Sequence, residues 1–191
     1  MPLLPLLPRR PLSAAVLLAL LGAALPAHAT DYWTPTALLG DYFKTSKRVS
    51  PRAVTLPDAA AAEVARKLGV EPDKLKKTWS VYVGEADGKR TGYAILDAEI
   101  GLHELIDFGV RFDEGGAVSR LEIMAFREPY GDQVRGERFR NQFVGKTSRD
   151  AITAGQDIAI VTGASISSRS VALGVKRDTL VLQAARTAGL L

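Results

Sequence analysis

The stretch Trp79-Ser-Val-Tyr-Val-Gly-Glu-Ala-Asp-Gly-Lys-Arg-Thr-Gly-Tyr-Ala-Ile-Leu96 contains the clearest structural signal in the chain. In its first half, apolar side chains alternate with other residues, which is typical of a half-buried β-strand. Asp87-Gly88 separates this run from a second one, and this dipeptide is a strong hairpin signal because both residues tolerate the positive φ angles of a tight turn. The stretch therefore predicts two antiparallel strands.

Two more strands are predicted downstream, over Glu104–Phe112 and Val118–Phe126. The turn between them, at 113–116, contains two glycines. Four strands joined by short turns form an antiparallel meander, in which one sheet face can remain solvated.

The rest of the chain has helical spacing. Phe139 and Phe143 lie four residues apart, which places them on one face of a helix predicted over about 134–145. A short apolar strand is predicted over 157–161, and a long C-terminal helix from Ile166 to about Ala188. The expected fold class is α+β, an antiparallel sheet of four or more strands with these two helices packed on it.

Residues 1–29 resemble a secretory signal peptide. Arg9-Arg10 supplies the positive charge, Ala14–Leu25 is the apolar region, and Ala27-His28-Ala29 has the small-x-small pattern of a cleavage site. The apolar region is shorter than the roughly 20 residues that a transmembrane helix needs. We therefore expect cleavage after Ala29 and a periplasmic protein.

Composition narrows the possible functions of the remaining chain. Residues 30–74 are rich in aromatics and turns and are predicted to form an N-terminal arm with short helices, ahead of a main domain over 75–191. The chain has no Cys and two His, so we predict no metal site, no catalytic triad and no disulfide. Without the two arginines of the signal the net charge of +4 falls towards balance, which predicts no nucleic-acid partner.

The candidate functional stretch is Thr162-Gly-Ala-Ser-Ile-Ser-Ser-Arg169, between the predicted strand and the long helix. The first amides of a helix have no intrahelical partner and carry partial positive charge, so they stabilise a phosphate. Gly163 and Ala164 permit close backbone approach, while Ser165, Ser167 and Ser168 can add hydroxyl donors. Alternatively, these serines simply cap the helix.

Three runs of sequence together resemble the FMN-binding domain family. They are Phe126-Arg-Glu-Pro-Tyr-Gly131, Arg138-Phe-Arg-Asn-Gln-Phe-Val-Gly-Lys146 and Asp157-Ile-Ala-Ile-Val-Thr-Gly-Ala-Ser-Ile-Ser-Ser168. The better-known members are peripheral subunits of the sodium-pumping NADH:quinone reductase and of the Rnf electron-transport complex. The chain looks more like small exported members that stand alone. The resemblance extends over about residues 75–188.

The resemblance implies FMN as cofactor. In the family a Ser-Gly-Ala-Thr step carries the flavin, whose phosphate is esterified to the Thr hydroxyl by a flavin transferase that uses FAD. Here Thr162 takes the position of the Ser, and Ser165 that of the flavinylated Thr. The family motif also has an Asp three residues before the Ser, where this chain has Ala159, and Asp157 lies two residues earlier. Covalent and non-covalent FMN therefore both remain open.

The resemblance also implies that the loop after the fourth strand lies along the flavin ring. In this chain the loop is Glu128-Pro129-Tyr130-Gly131. Tyr130 could stack on the ring, the amides near Gly131 could reach its pyrimidine edge, and Arg169 is placed near the phosphate. The alternative is a plain turn whose Tyr covers the core.

Three functions are compatible with these observations. We expect an exported flavoprotein that transfers electrons between a membrane-bound partner and a periplasmic acceptor, because the cofactor supplies the chemistry and no acid–base constellation is found. A flavin-dependent reductase would need Tyr130 or Glu128 to deliver a proton. A binding module that kept the fold and lost the flavin is favoured by Ala159 and Ser165.

Overall fold

The computed structural model describes residues 30–191, so the signal peptide predicted over 1–29 lies outside the described residues. The strands are β1 (Thr30–Asp31), β2 (Arg48–Val54), β3 (Trp79–Ala86), β4 (Lys89–Ile100), β5 (Leu105–Phe112) and β6 (Val118–Phe126). The α-helices are α1 (Pro35–Tyr42), α2 (Asp58–Leu68), α3 (Glu137–Arg140) and α4 (Ser165–Thr187). The predicted α+β class is confirmed.

All six strands form one antiparallel sheet in the order β1-β6-β5-β4-β3-β2. The four predicted strands make its centre, and the hairpin turns at Asp87 and Gly88, whose φ angles are 52° and 73°. The two outer strands come from the N-terminal part of the chain. Pro51 stands in the middle of β2, opposite Tyr82, and proline is tolerated there because β2 is an edge strand.

The larger core lies between one face of the sheet and helices α2 and α4. Phe108 on β5 and Val171 and Val175 on α4 are fully buried within it. Gly174 lets α4 lie close to the sheet, since a Cβ atom there would overlap the Phe108 ring. Within residues 30–191 no helix combines the length and apolarity needed to cross a bilayer.

A smaller core lies on the opposite face, under α1. Leu38, Tyr42 and Phe43 pack there against Ala94 and Met124 of the sheet. The buried Tyr42 hydroxyl donates a hydrogen bond of 2.7 Å to the Gly109 carbonyl oxygen, so its polar atom is satisfied. Both faces of the central strands are therefore covered.

The single helix predicted over 134–145 is wrong in detail. The structure has a 3₁₀ turn at Asp132–Arg135, then the one-turn helix α3, then a second 3₁₀ turn at Asn141–Phe143. Gly136 interrupts the helix because its backbone is extended, with φ −57° and ψ 137°. Phe139 and Phe143 nevertheless lie on one face as predicted, both buried, with ring centroids 5.3 Å apart.

The strand predicted over 157–161 is also wrong. In this segment the structure has an isolated bridge between Ala154 and Ile158 in place of a strand. The Asp157 carboxylate accepts hydrogen bonds from the amides of Ile152 (3.1 Å) and Thr153 (2.7 Å), which closes a turn in place of an extended chain. By contrast, the predicted C-terminal helix is confirmed as α4.

Arg177 ties α4 to the end of β4. Its guanidinium contacts the buried Asp97 carboxylate at 2.7 Å and also pairs with Glu99. Lys76 forms a second ion pair with Asp97, whose side chain is only 1% exposed. Two cations therefore neutralise a carboxylate that would otherwise be buried with an uncompensated charge.

We expect Arg177→Leu to lower the free energy of unfolding by about 3 kcal/mol, because it removes one partner of a buried ion pair. The neighbouring Lys176 forms no ion pair within residues 30–191, so Lys176→Leu is a matched control that should cost about 0.5 kcal/mol or less. Urea unfolding followed by circular dichroism measures both. Equal losses in the two variants would contradict the role assigned to Arg177.

Asp178, the next residue of α4, is buried, and neither carboxylate oxygen has a hydrogen-bond partner among residues 30–191. Burial raises its pKa from 3.8 to about 7, although Arg177 and Lys76 partly oppose the shift. The folded protein therefore holds a proton that the unfolded chain releases above about pH 4. Stability is full below that pH and falls as the pH rises to about 7.

Asp178→Asn should abolish this decline, which amounts to at most about 4 kcal/mol, because an amide does not ionise. The measurement is the free energy of unfolding between pH 4 and pH 8, taken from urea titrations. Asp132→Asn, at an exposed position, is the control and should keep the wild-type pH profile. If the Asp178 variant loses stability with rising pH as the wild type does, another group titrates.

Candidate functional site

The start of α4 is open to solvent. The helix begins at Ser165 with Ala164 as its N-cap, and no side chain of the described residues caps this end. Thr162, Gly163 and Ser165 are exposed. Gly163 has φ 82°, and a Cβ atom built on it would meet nothing within 4 Å in the described part of the chain. The serines therefore do not cap the helix, and its first amides face a space that an anion can approach.

Two of the predicted serines point inward. Ser167 is 2% exposed and Ser168 is fully buried. The Ser168 hydroxyl accepts a hydrogen bond of 3.2 Å from the amide of Val161, which fixes the backbone just before Thr162. These side chains hold the helix start in place, whereas the Ser165 hydroxyl is accessible.

The loop after β6 contacts the same helix start. Gly131 has φ 103°, and a Cβ atom there would overlap the Ser167 hydroxyl and lie 3.2 Å from the Phe126 ring. The structure therefore brings together two segments that are far apart in the chain and that were predicted to contribute to one site. Tyr130, next to this contact, is 81% exposed.

Glu128 has a different position from the one that flavin contact would need. Its Oε1 atom accepts hydrogen bonds from the amides of His103 (2.7 Å) and Glu104 (3.1 Å) in the β4–β5 turn. Neighbouring Arg127 pairs with Asp107 at 2.7 Å. Both side chains hold the loop on the sheet and leave Tyr130 free.

The Gln-Phe-x-Gly-Lys run has a structural role that its local pattern does not reveal. The Gln142 side-chain amide pairs with both backbone groups of Ala159: its Oε1 accepts from the amide at 2.6 Å, and its Nε2 donates to the carbonyl at 3.3 Å. Lys146 pairs with Asp157 at 2.8 Å. This run therefore anchors the segment that leads to Thr162, and Asp157 is engaged away from the helix start.

The environment of Asp157 keeps it charged. Burial alone would raise its pKa, but hydrogen bonds from Lys146 and from the amides of Thr153 and Ile152 hold the pKa below its ordinary value. The carboxylate is thus a permanent acceptor that fixes the turn. The adjoining Arg169, on the second turn of α4, lines a groove of about 360 Å³ beside Thr153 and Ala154.

The contact between Gly131 and Ser167 can be tested by a double-mutant cycle. Gly131→Ala should cost about 2 kcal/mol or more, from the positive φ and from overlap with the Ser167 hydroxyl. Gly69 also has positive φ, but within residues 30–191 nothing lies near its Cβ position, so Gly69→Ala should cost only about 1 kcal/mol.

In a Ser167→Ala background the cost of Gly131→Ala should fall to that of the Gly69 control, because the overlapping oxygen is gone. Urea unfolding gives the four free energies of the cycle. An unchanged cost in that background would show that Gly131 and Ser167 are not coupled.

Comparison with solved structures identifies a related fold. NqrC of Shewanella oneidensis superposes with a TM-score of 0.52 at 18% identity, covering 76% of this chain and 87% of that one. The NqrC counterpart in the Na⁺-translocating NADH-quinone reductase of Parabacteroides distasonis gives a TM-score of 0.46 at 17% identity, over 71% and 75% of the two chains. At such identities the comparison concerns the fold alone, and the second likeness is too weak to support an argument.

Comparison with protein families identifies the domain. No match was found among curated proteins. Residues 101–178, however, match the family model described as the FMN-binding domain, in agreement with the resemblance noted in the sequence. The matched segment extends from the β4–β5 turn to Asp178 and contains both the loop after β6 and the start of α4. Residues 101–178 of this chain are an FMN-binding domain, and its cofactor is FMN.

Proposed function

We propose that this chain is an exported flavoprotein that holds one FMN at the start of α4 and transfers electrons between a membrane-bound partner and a periplasmic acceptor. One observation supports this most directly. The FMN-binding domain contains a long helix whose first amides are uncapped within residues 30–191 and whose first residue, Ser165, is exposed. An anionic phosphate fits such a position by charge and by hydrogen bonding.

The phosphate end of FMN is assigned to residues 162–169. The amides at the start of α4 and the Ser165 hydroxyl would hold the phosphate, and Gly163 leaves room for it. Thr162 is exposed beside them, and Arg169 follows one turn later with no ion pair within residues 30–191. Ala164, Ser167 and Ser168 are buried and would keep this backbone rigid.

The ring end is assigned to the loop after β6. The contact of Gly131 with Ser167 holds this loop against the helix start, so a ligand with its phosphate at Ser165 can extend towards it. Tyr130 is exposed and would stack on the ring, and the backbone near Gly131 would donate to it. Glu128 acts at one remove by holding the loop.

Bound FMN supplies one- and two-electron redox chemistry, and the protein binds and orients it. The side chain of Glu128 favours the carrier over the reductase, since its carboxylate is used to accept two backbone hydrogen bonds. Such a carboxylate is stabilised in its charged form and is a poor proton donor. Of the two proton donors that a reductase could use, Tyr130 would then remain.

Attachment through Ser165 is the covalent form of the proposal. A flavin transferase would join the Ser165 Oγ to the phosphorus of the FMN half of FAD, with loss of the hydroxyl proton and departure of AMP. The exposed hydroxyl supports this step. The predicted signal peptide supports export, and the resemblance to peripheral subunits of redox complexes supports the membrane-bound partner.

The test is to co-express the full chain with a flavin transferase and to look for flavin fluorescence on a denaturing gel. Fluorescence is expected, and the intact mass should increase by one FMN less one water. Ser165→Ala should abolish the label because the attacking oxygen is absent, whereas Ser165→Thr should retain it.

Thr162→Ala is the matched control, since it removes a neighbouring exposed hydroxyl and should leave the label in place. A label that persists in Ser165→Ala would contradict the assignment to Ser165. If no label forms, the purified protein should still bind added FMN with quenching of flavin fluorescence. Failure of both would contradict the proposed function.

A further inference from the structure

A basic groove runs along the outer side of α4. It consists of two adjoining hollows of about 410 and 360 Å³, which share Ile152 and Lys176. Its cations are Lys67, Arg149, Arg169 and Lys176, and Asp150 is the one acidic residue among the described residues that line it. The groove therefore carries a net positive charge, although the chain without its predicted signal is close to neutral.

Most of these cations are free of acidic partners in the described part of the chain. Within residues 30–191, Arg149, Arg169 and Lys176 form no ion pair, whereas Lys67 lies 3.6 Å from Glu63. Other cations of α4 differ, since Arg177 is paired with the sheet and Arg186 donates to backbone carbonyls. The Asp150 carboxylate is held by the amide and hydroxyl of Thr147, both at 2.8 Å, so it does not neutralise them.

The groove starts at the proposed flavin site. Ser165, Arg169, Lys176 and Leu180 follow one another at helical spacing, so they lie along one side of α4. Leu173, between the two cations, is 40% exposed and lines the groove. Ile152 forms its floor with φ 42°, a conformation that a β-branched residue rarely adopts and that is more common at functional sites.

We propose that this groove is the docking surface for an acidic patch on the protein that exchanges electrons with the flavin, a step that rests on the proposed function. Cations that the described chain leaves unpaired, around an exposed leucine, match the anatomy of an electrostatically steered interface, with an apolar centre and a charged surround. The position beside Ser165 would bring an acidic partner close to the cofactor. Such docking strengthens the encounter at low salt and weakens as salt screens the charges.

The first experiment does not need the flavin. Reduced plastocyanin, a strongly acidic electron-transfer protein, is added to the ¹⁵N-labelled Ser165→Ala protein, purified from cells that express the full chain. Amide shifts should change at residues 149–154 and 169–176 and should vanish at about 0.5 M salt. Shifts confined to another surface would overturn the proposal, even if the flavin assignment holds.

The second experiment measures electron transfer by stopped flow from the reduced FMN-loaded protein to oxidised plastocyanin. Arg149→Glu/Lys176→Glu should slow the second-order rate about tenfold at low salt. The control Lys44→Glu/Lys89→Glu makes the same charge change at exposed positions near the β3–β4 hairpin and should have a much smaller effect. With cytochrome c, a basic acceptor, the groove variant should be faster than wild type. Equal rates in the two double variants would overturn the proposal.

Discussion

The packing of α4 across the sheet determines the geometry of the rest of the molecule. Gly174 allows the helix to lie close against Phe108, and Arg177 fixes it to Asp97 and Glu99 at the end of β4. One contact sets the distance between helix and sheet, and the other sets the position along the helix axis. Together they determine where the first residue of α4, Ser165, lies relative to the sheet.

The candidate site is assembled at that helix start by groups that do not themselves face the ligand. Ser168 holds Val161, Gln142 holds Ala159, and Gly131 fits against Ser167. Each is a contact with a satisfied polar atom or a close fit, so the backbone around residues 162–165 is pre-organised. Such support leaves the exposed hydroxyl and amides free to bind.

The charges of α4 are divided between its two sides. Arg177 faces the sheet and meets buried carboxylates, and the neighbouring Asp178 is buried as a group that favours its protonated form. Arg169 and Lys176 face the groove and meet no carboxylate within residues 30–191. The inward charges fix the helix, and the outward charges give the flavoprotein a basic flank beside the proposed cofactor site.

Local sequence is sufficient to predict the central strands, the Asp87-Gly88 turn, the C-terminal helix and the phosphate-binding stretch, because periodicity, turn chemistry and motif record them directly. The same patterns mislead at 134–145 and 157–161, where Gly136 and the Asp157 carboxylate override the apolar spacing. The folded chain was needed to show that β2 joins the sheet, that Gln142 anchors Ala159, and that Arg149 lies in a groove with Lys176. These relations join residues far apart in the chain, and no local pattern encodes which distant backbone a side chain will meet.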